Sequence, residues 1–93
     1  MDEAKEEIRI ALGLYRCTWQ IETKRALPYY YAEFGGFTLV VLKSGAPRRA
    51  SRYKWRLYRK DNFTILFEEY EPTLDEAIRA VEARLWLESG KLG

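Results

Sequence analysis

The sequence predicts an α+β fold: a meandering antiparallel sheet of four to five strands, one face covered by a C-terminal helix, with room for a short N-terminal helix beside it. Three observations carry this. Two β-rich runs flank Gly35-Gly36, a second pair of alternating runs flanks Lys60-Asp61-Asn62, and an apolar stripe of helical period follows Pro72. The chain of 93 residues suits one domain spanning 1–93, since single cores usually take about 100–150 residues.

The elements follow in order. Asp2 to Leu12 reads as a short helix: Asp2 caps it, Glu3, Glu6 and Glu7 suit its positive end, and Gly13 ends it. Tyr15 to Thr23 alternates, with Tyr15, Cys17, Trp19 and Ile21 on one side and Arg16, Thr18, Gln20 and Glu22 on the other, which favours a half-buried strand. A single long helix over residues 2–26 is the rival, because Ile8, Leu12, Tyr15 and Trp19 also have helical spacing. Tyr29–Phe34, Gly35-Gly36 and Phe37–Leu42 predict a two-residue hairpin with positive φ at both glycines. Its register sets Phe34 opposite Phe37, Ala32 opposite Leu39, Tyr30 opposite Val41, Tyr31 opposite Val40 and Tyr29 opposite Leu42.

A second hairpin is expected between Arg52 and Tyr70. A three-residue loop, Lys60-Asp61-Asn62 with Asn62 left-handed, sets Arg59 opposite Phe63, Leu57 opposite Ile65 and Trp55 opposite Phe67, keeping one side apolar. The same register sets Lys54 opposite Glu68 and Arg56 opposite Leu66. The closing helix is expected from Leu74 to Ser89. Thr73 and Glu76 form a capping box, Leu74, Ala77, Ile78, Val81 and Leu85 form the stripe, and Gly90 stops it. Trp86 and Leu87 lie off the stripe and mark either the N-terminal helix or a subunit contact.

Composition narrows the chemistry. There is no His and one Cys, so the chain alone cannot form a disulfide, a structural zinc site or a His-based catalytic triad. No cofactor, metal site or small-molecule substrate is expected, and Glu68, Glu69 and Glu71 read as a solvated strand end. Gly35-Gly36 fits no phosphate-loop pattern. The acidic N-terminus is no signal peptide, and no apolar run exceeds four residues, so neither export nor a membrane span is expected and the default is cytoplasmic. Gln20 and Asn62 are the only side-chain amides, a trait of proteins from hot environments.

The expectation is therefore a non-enzymatic binding protein. The net charge of +2 conceals a polarised chain. Lys43 to Lys60 holds eight cations and no acid: Lys43, Arg48, Arg49, Arg52, Lys54, Arg56, Arg59 and Lys60, interleaved with Tyr53, Trp55 and Tyr58. If the helices cover one sheet face, alternation gives the other face Tyr29, Tyr31, Val40, Leu42, Arg52, Lys54, Arg56, Tyr58, Thr64, Leu66, Glu68 and Tyr70, with Arg16, Thr18, Gln20 and Glu22 from the early strand. Cations along a backbone with aromatic rings against bases are the means by which nucleic acid, single strands especially, is held. The expected nucleic-acid set is Lys43, Arg48, Arg49, Arg52, Lys54, Arg56, Tyr58 and Arg16.

The alternative is an inhibitor or adaptor of phage or plasmid type that binds a host protein, or a second copy of this chain, through Tyr29, Tyr31, Val40, Leu42 and Trp86. A plain charge-paired sheet face accounts for the same cations.

Trp55-Arg56-Leu57, Phe63-Thr64-Ile65-Leu66, Tyr70 and Thr73-Leu74-Asp75-Glu76-Ala77-Ile78 resemble a pattern of small phage and plasmid accessory proteins. They are also similar to the three-stranded, one-helix arm-binding domains of tyrosine integrases. The likeness covers residues 52–88 and rests mostly on a capping box after a strand; the 93 residues contain no catalytic integrase domain, and no functional residue is carried over.

Overall fold

The computed structural model describes residues 13, 15–24, 29–43 and 53–92. The N-terminal helix expected over Asp2–Leu12, and Arg48, Arg49 and Arg52, lie outside the described residues. Strands β1 (Gln20–Glu22), β2 (Tyr29–Phe34), β3 (Phe37–Lys43), β4 (Tyr53–Arg59) and β5 (Thr64–Glu71) precede helix α1 (Leu74–Leu92). The strands lie side by side in chain order, each antiparallel to the next, so the fold is the α+β meander with a C-terminal helix.

The first hairpin pairs in the expected register throughout, from Phe34 opposite Phe37 to Tyr29 opposite Leu42. Its turn differs in one respect. Gly35 has a positive φ of 59° and Gly36 does not. Positive φ at the first central residue alone is the requirement of a type II′ turn.

The early strand keeps its alternation but little of its ladder. Tyr15, Cys17 and Trp19 are buried while Arg16, Thr18 and Gln20 are exposed, yet only Gln20–Glu22 pairs with β2. The long-helix alternative does not hold over residues 15–24, which form bends and strand. The cause is Glu82 of α1, whose carboxylate is buried at 5% exposure. It accepts hydrogen bonds from the backbone N–H of Arg16 at 3.2 Å and of Cys17 at 2.9 Å, and from the Trp19 indole Nε1 at 2.8 Å. These donors serve the helix instead of a neighbouring strand.

The second hairpin departs from expectation. Its turn is four residues, Lys60–Phe63, closed by Arg59 opposite Thr64. The left-handed residue is Phe63, at φ 54°, not Asn62. Asn62 spends its side chain locally instead: Oδ1 accepts from the Thr64 N–H at 3.1 Å, an Asx-type turn. A β-bulge then shifts the register between Leu57 and Tyr58. Beyond it Leu57 faces Phe67, Arg56 faces Glu68, Trp55 faces Glu69 and Lys54 faces Tyr70. Leu66 becomes the extra residue and packs against the core with Phe67, while Ile65 moves opposite Tyr58 and stands exposed. The shift leaves Trp55 opposite an acid but lets Arg56 meet a carboxylate instead of Leu66.

Helix α1 begins as expected, with the Glu76 N–H donating to Thr73 Oγ1 at 3.1 Å. It does not stop at Gly90 but runs through it to Leu92. Gly90 lacks the positive φ that a left-handed C-cap needs. The predicted stripe of Leu74, Ala77, Ile78, Val81 and Leu85 is at most 1% exposed. It packs chiefly over β3 and β4, on Leu39, Val41, Trp55 and Leu57. Each such side chain contributes roughly 1.5–3 kcal/mol on burial. Arg84 lays its guanidinium 3.5 Å from the Phe67 ring centroid, extending the cover toward β5.

Two stability predictions follow from these contacts. Gly35→Ala should lower the urea midpoint by an amount equivalent to about 1–2 kcal/mol, for its backbone alone, while Gly36→Ala should change it little; no atom lies within 4 Å of a Cβ built at either site. Glu82→Ala should cost roughly 2–5 kcal/mol by orphaning three buried or half-buried donors, and an unchanged midpoint would remove Glu82 from this role.

Candidate nucleic-acid interface

Because α1 covers one face of the sheet, alternation and register decide what the other face presents. Three rows cross it. The middle row runs Gln20, Tyr31, Val40, Arg56, Glu68 over all five strands. The second runs Glu22, Tyr29, Leu42, Lys54, Tyr70. The third, at the hairpin end, runs Glu33, Thr38, Tyr58, Ile65. The face therefore brings together Tyr29, Tyr31, Val40, Leu42, Lys54, Arg56 and Tyr58, seven of the expected site residues, and adds Tyr70 and Glu68.

Other expected members of this face lie elsewhere. Arg16 is a correction: its guanidinium sits 5.9 Å from the Trp86 ring centroid, on the helix side of the sheet. The Glu82 hydrogen bonds hold its backbone there, so the strand alternation does not carry it to the open face. Trp86 is likewise on the helix side, edge-on to Phe34 at 4.7 Å and 71°. It shares no surface with Tyr29, Tyr31, Val40 and Leu42. Thr64 and Leu66 leave the open face through the longer turn and the bulge. Lys43 pairs with buried Tyr53 and belongs by register to the helix side, at the end of the sheet where β3 stops and β4 starts.

Each ring on the open face has a neighbour that orients it. The Tyr31 hydroxyl donates to Gln20 Oε1 at 2.7 Å, and the Tyr29 and Tyr31 centroids are 5.8 Å apart at 40°. Lys54 Nζ lies 5.4 Å from the Tyr70 ring centroid, a cation–π distance. Arg56 donates from Nε to Glu68 and from Nη1 to the Tyr58 hydroxyl at 3.2 Å. The Tyr58 hydrogen bond, then that of Glu68, raises the Arg56 pKa against the opposing effect of burial. Lys60 pairs with Glu33 at 2.8 Å across the hairpin end. Charge on the described face is thus compensated in the middle and at the hairpin end.

The acidic run at residues 68–71 splits across the sheet. Glu68 is on the open face; Glu69 and Glu71 pair with Trp55 and Tyr53 on the other, where Glu71 Oε2 accepts from Trp55 Nε1 at 3.3 Å. Among the described residues no group of three or more His, Cys, Asp or Glu could hold a metal ion, and no helix is long and apolar enough to cross a membrane.

Glu82 stands outside the apolar stripe expected from the sequence. A signal existed: it lies four residues after Ile78 and three before Leu85, so helical spacing puts it on the buried stripe. A cavity of about 310 Å³ opens beside it, lined by Tyr15, Arg16, Arg79, Glu82, Ala83 and Trp86. Trp86 Nε1 is buried with no hydrogen-bond partner.

Compared with known proteins, the chain matches no family, no curated relative and no solved structure.

Cys17, the only thiol, is buried. Burial first, then the Glu82 charge and hydrogen bond, push its pKa from an ordinary 9.0 to about 11. The folded state therefore holds this proton while the unfolded chain releases it, so stability falls as pH rises between 9.0 and about 11. At pH 8 the thiolate fraction drops about a hundredfold, and iodoacetamide should alkylate the native protein at least tenfold more slowly than the urea-unfolded chain. Equal rates would show that the thiol is accessible and ordinary.

Proposed function

We propose that the protein is a non-enzymatic nucleic-acid-binding domain that uses its open sheet face together with residues 43–60. One juxtaposition carries this reading. The segment at 44–52, with Arg48, Arg49 and Arg52 and no acid, leaves the sheet at Lys43 and rejoins it at Tyr53. That is the end of the sheet that bears the Tyr29, Leu42, Lys54, Tyr70 row. Lys54, the described cation of that row, adjoins the Tyr70 ring, so a phosphate-neutralising charge lies beside a ring that can contact a base. Arg48, Arg49, Arg52 and Lys54 are the phosphate-binding candidates, and Lys43, on the helix side by register, takes a lesser part. Arg56 takes a lesser part because Glu68 already engages it. Arg16, across the sheet, takes none.

A second reading has its own support. Tyr29, Tyr31, Val40 and Leu42 form an apolar centre beside a satisfied Arg56–Glu68 pair, which suits a protein partner, either a host protein bound by a small phage- or plasmid-type inhibitor or a second copy of this chain. A reduced, buried Cys17 fits a cytoplasmic setting for either.

Binding of a labelled oligonucleotide, followed by anisotropy between about 50 and 200 mM salt, tests the first reading. Affinity should fall steeply with salt, and the combined Arg48→Glu, Arg49→Glu and Arg52→Glu variant should bind at least tenfold more weakly at unchanged melting temperature. No binding at low salt, with a protein partner retained from nuclease-treated extract, would transfer the face to the second reading.

A further inference from the structure

We infer that the open face is where two copies of this chain meet, about a two-fold axis parallel to the strands; this rests on the protein-partner reading above and names the partner. A two-fold contact uses one patch on both copies, so the patch must complement itself. An axis running along β3 lays β2 of one copy over β4 of the other and β1 over β5. Lys54 then falls over Tyr29 of the other copy, and Arg56 over its Tyr31, a cation against a ring in both rows. Glu22 falls over Tyr70 and Glu68 over Gln20, and in the third row Glu33 falls over Tyr58. No two like charges oppose one another. Val40 and Leu42 lie on the axis, each against its counterpart, as an apolar centre.

Aligned packing of two sheets turns one on the other by about 30°, which displaces these positions on β2 and β4 by about 3 Å, less than the roughly 6.8 Å between rows. An axis across the strands has no such match. It lays β4 on β4 and, along the middle row, sets Arg56 against Arg56 and Glu68 against Glu68. The side chains at the contact are also held beforehand. Tyr31 donates to Gln20, and Arg56 is fixed by Glu68 and Tyr58, so little side-chain order is lost on association. Because Arg56 and Glu68 already neutralise each other, the centre of the contact buries no lone charge. Five strands and three rows span roughly 24 by 20 Å, small for a specific interface, so the dimer is weak and concentration-dependent.

Sedimentation of the full chain from about 1 to 500 µM tests this. The parent should pass from 11.0 kDa to twice that mass across the range. Leu42→Glu, which sets two carboxylates against each other on the axis, should raise the dimer dissociation constant at least tenfold. Two variants opposite Lys54 of the other copy read the axis: Tyr29→Glu should dimerise at least fivefold more tightly than Tyr29→Lys. Circular dichroism checks that each variant is folded, and the Tyr29 pair keeps the test valid if Leu42→Glu does not fold. The same tyrosines serve the nucleic-acid reading, so an oligonucleotide that binds this face should convert dimer to monomer. A monomer at every concentration, a folded Leu42→Glu variant that dimerises like the parent, or equal dimerisation of the two Tyr29 variants would overturn the inference. In that event a protein partner retained from nuclease-treated extract leaves the protein-partner reading standing, and none retained overturns that reading too.

Discussion

The Glu82 carboxylate is the point at which helix and sheet are locked in one relation. A buried charge is tolerated only where hydrogen bonds replace its lost hydration. Here two backbone N–H groups and an indole do so, all from residues 16–19 and all more than sixty positions away in the chain. The requirement acts in both directions. The segment before β1 cannot extend its ladder without abandoning the carboxylate, and α1 cannot rotate without burying the carboxylate unpartnered. Tyr15 adds a second tie, its hydroxyl donating to Asp75 Oδ1 at 2.7 Å in the first turn of the helix. The cover on the sheet is therefore oriented by polar contacts as well as by the apolar stripe.

One face of the sheet carries no cover from the described residues. A single helix is about 10–12 Å across with its side chains, and five strands at about 4.8 Å spacing are wider than that. Helix α1 sits on β3 and β4, Arg84 reaches over Phe67 at β5, and the 15–19 segment fills the side toward β1. Nothing in the described chain turns back over the other face. Its half-buried tyrosines are side chains of strands whose opposite positions are fully used for the core, so their composition is not set by packing against α1.

The bulge in β5 decides the electrostatics of that open face. With the three-residue loop and no bulge, Arg56 would stand opposite Leu66 and Lys54 opposite Glu68. The longer turn and the bulge, one residue each, move Glu68 onto Arg56 and Tyr70 onto Lys54. The positive charge of Arg56 is thereby offset at the centre of the face by Glu68.

Sequence alone determined the meander, the first hairpin residue by residue, the helix start and the apolar stripe. These are local: a Gly-Gly turn, a period of two, a threonine cap and a period of 3.6 each act between near neighbours. It also placed Tyr29, Tyr31, Val40, Leu42, Lys54, Arg56 and Tyr58 on one face, because register follows directly from turn length. Only the tertiary structure decided the rest. Glu82 looked like one acid among several until the partners that bury it, far off in sequence, came into contact. Arg16 and Trp86 obeyed their local periods yet ended on the helix side, because a long-range hydrogen bond outweighed strand alternation and because Phe34 offered an edge to pack on. The turn and bulge of the second hairpin depended on an Asn side chain and an Arg–Glu pairing across strands. Such contacts weigh a few kcal/mol at most, enough to choose between registers that local pattern leaves nearly equal.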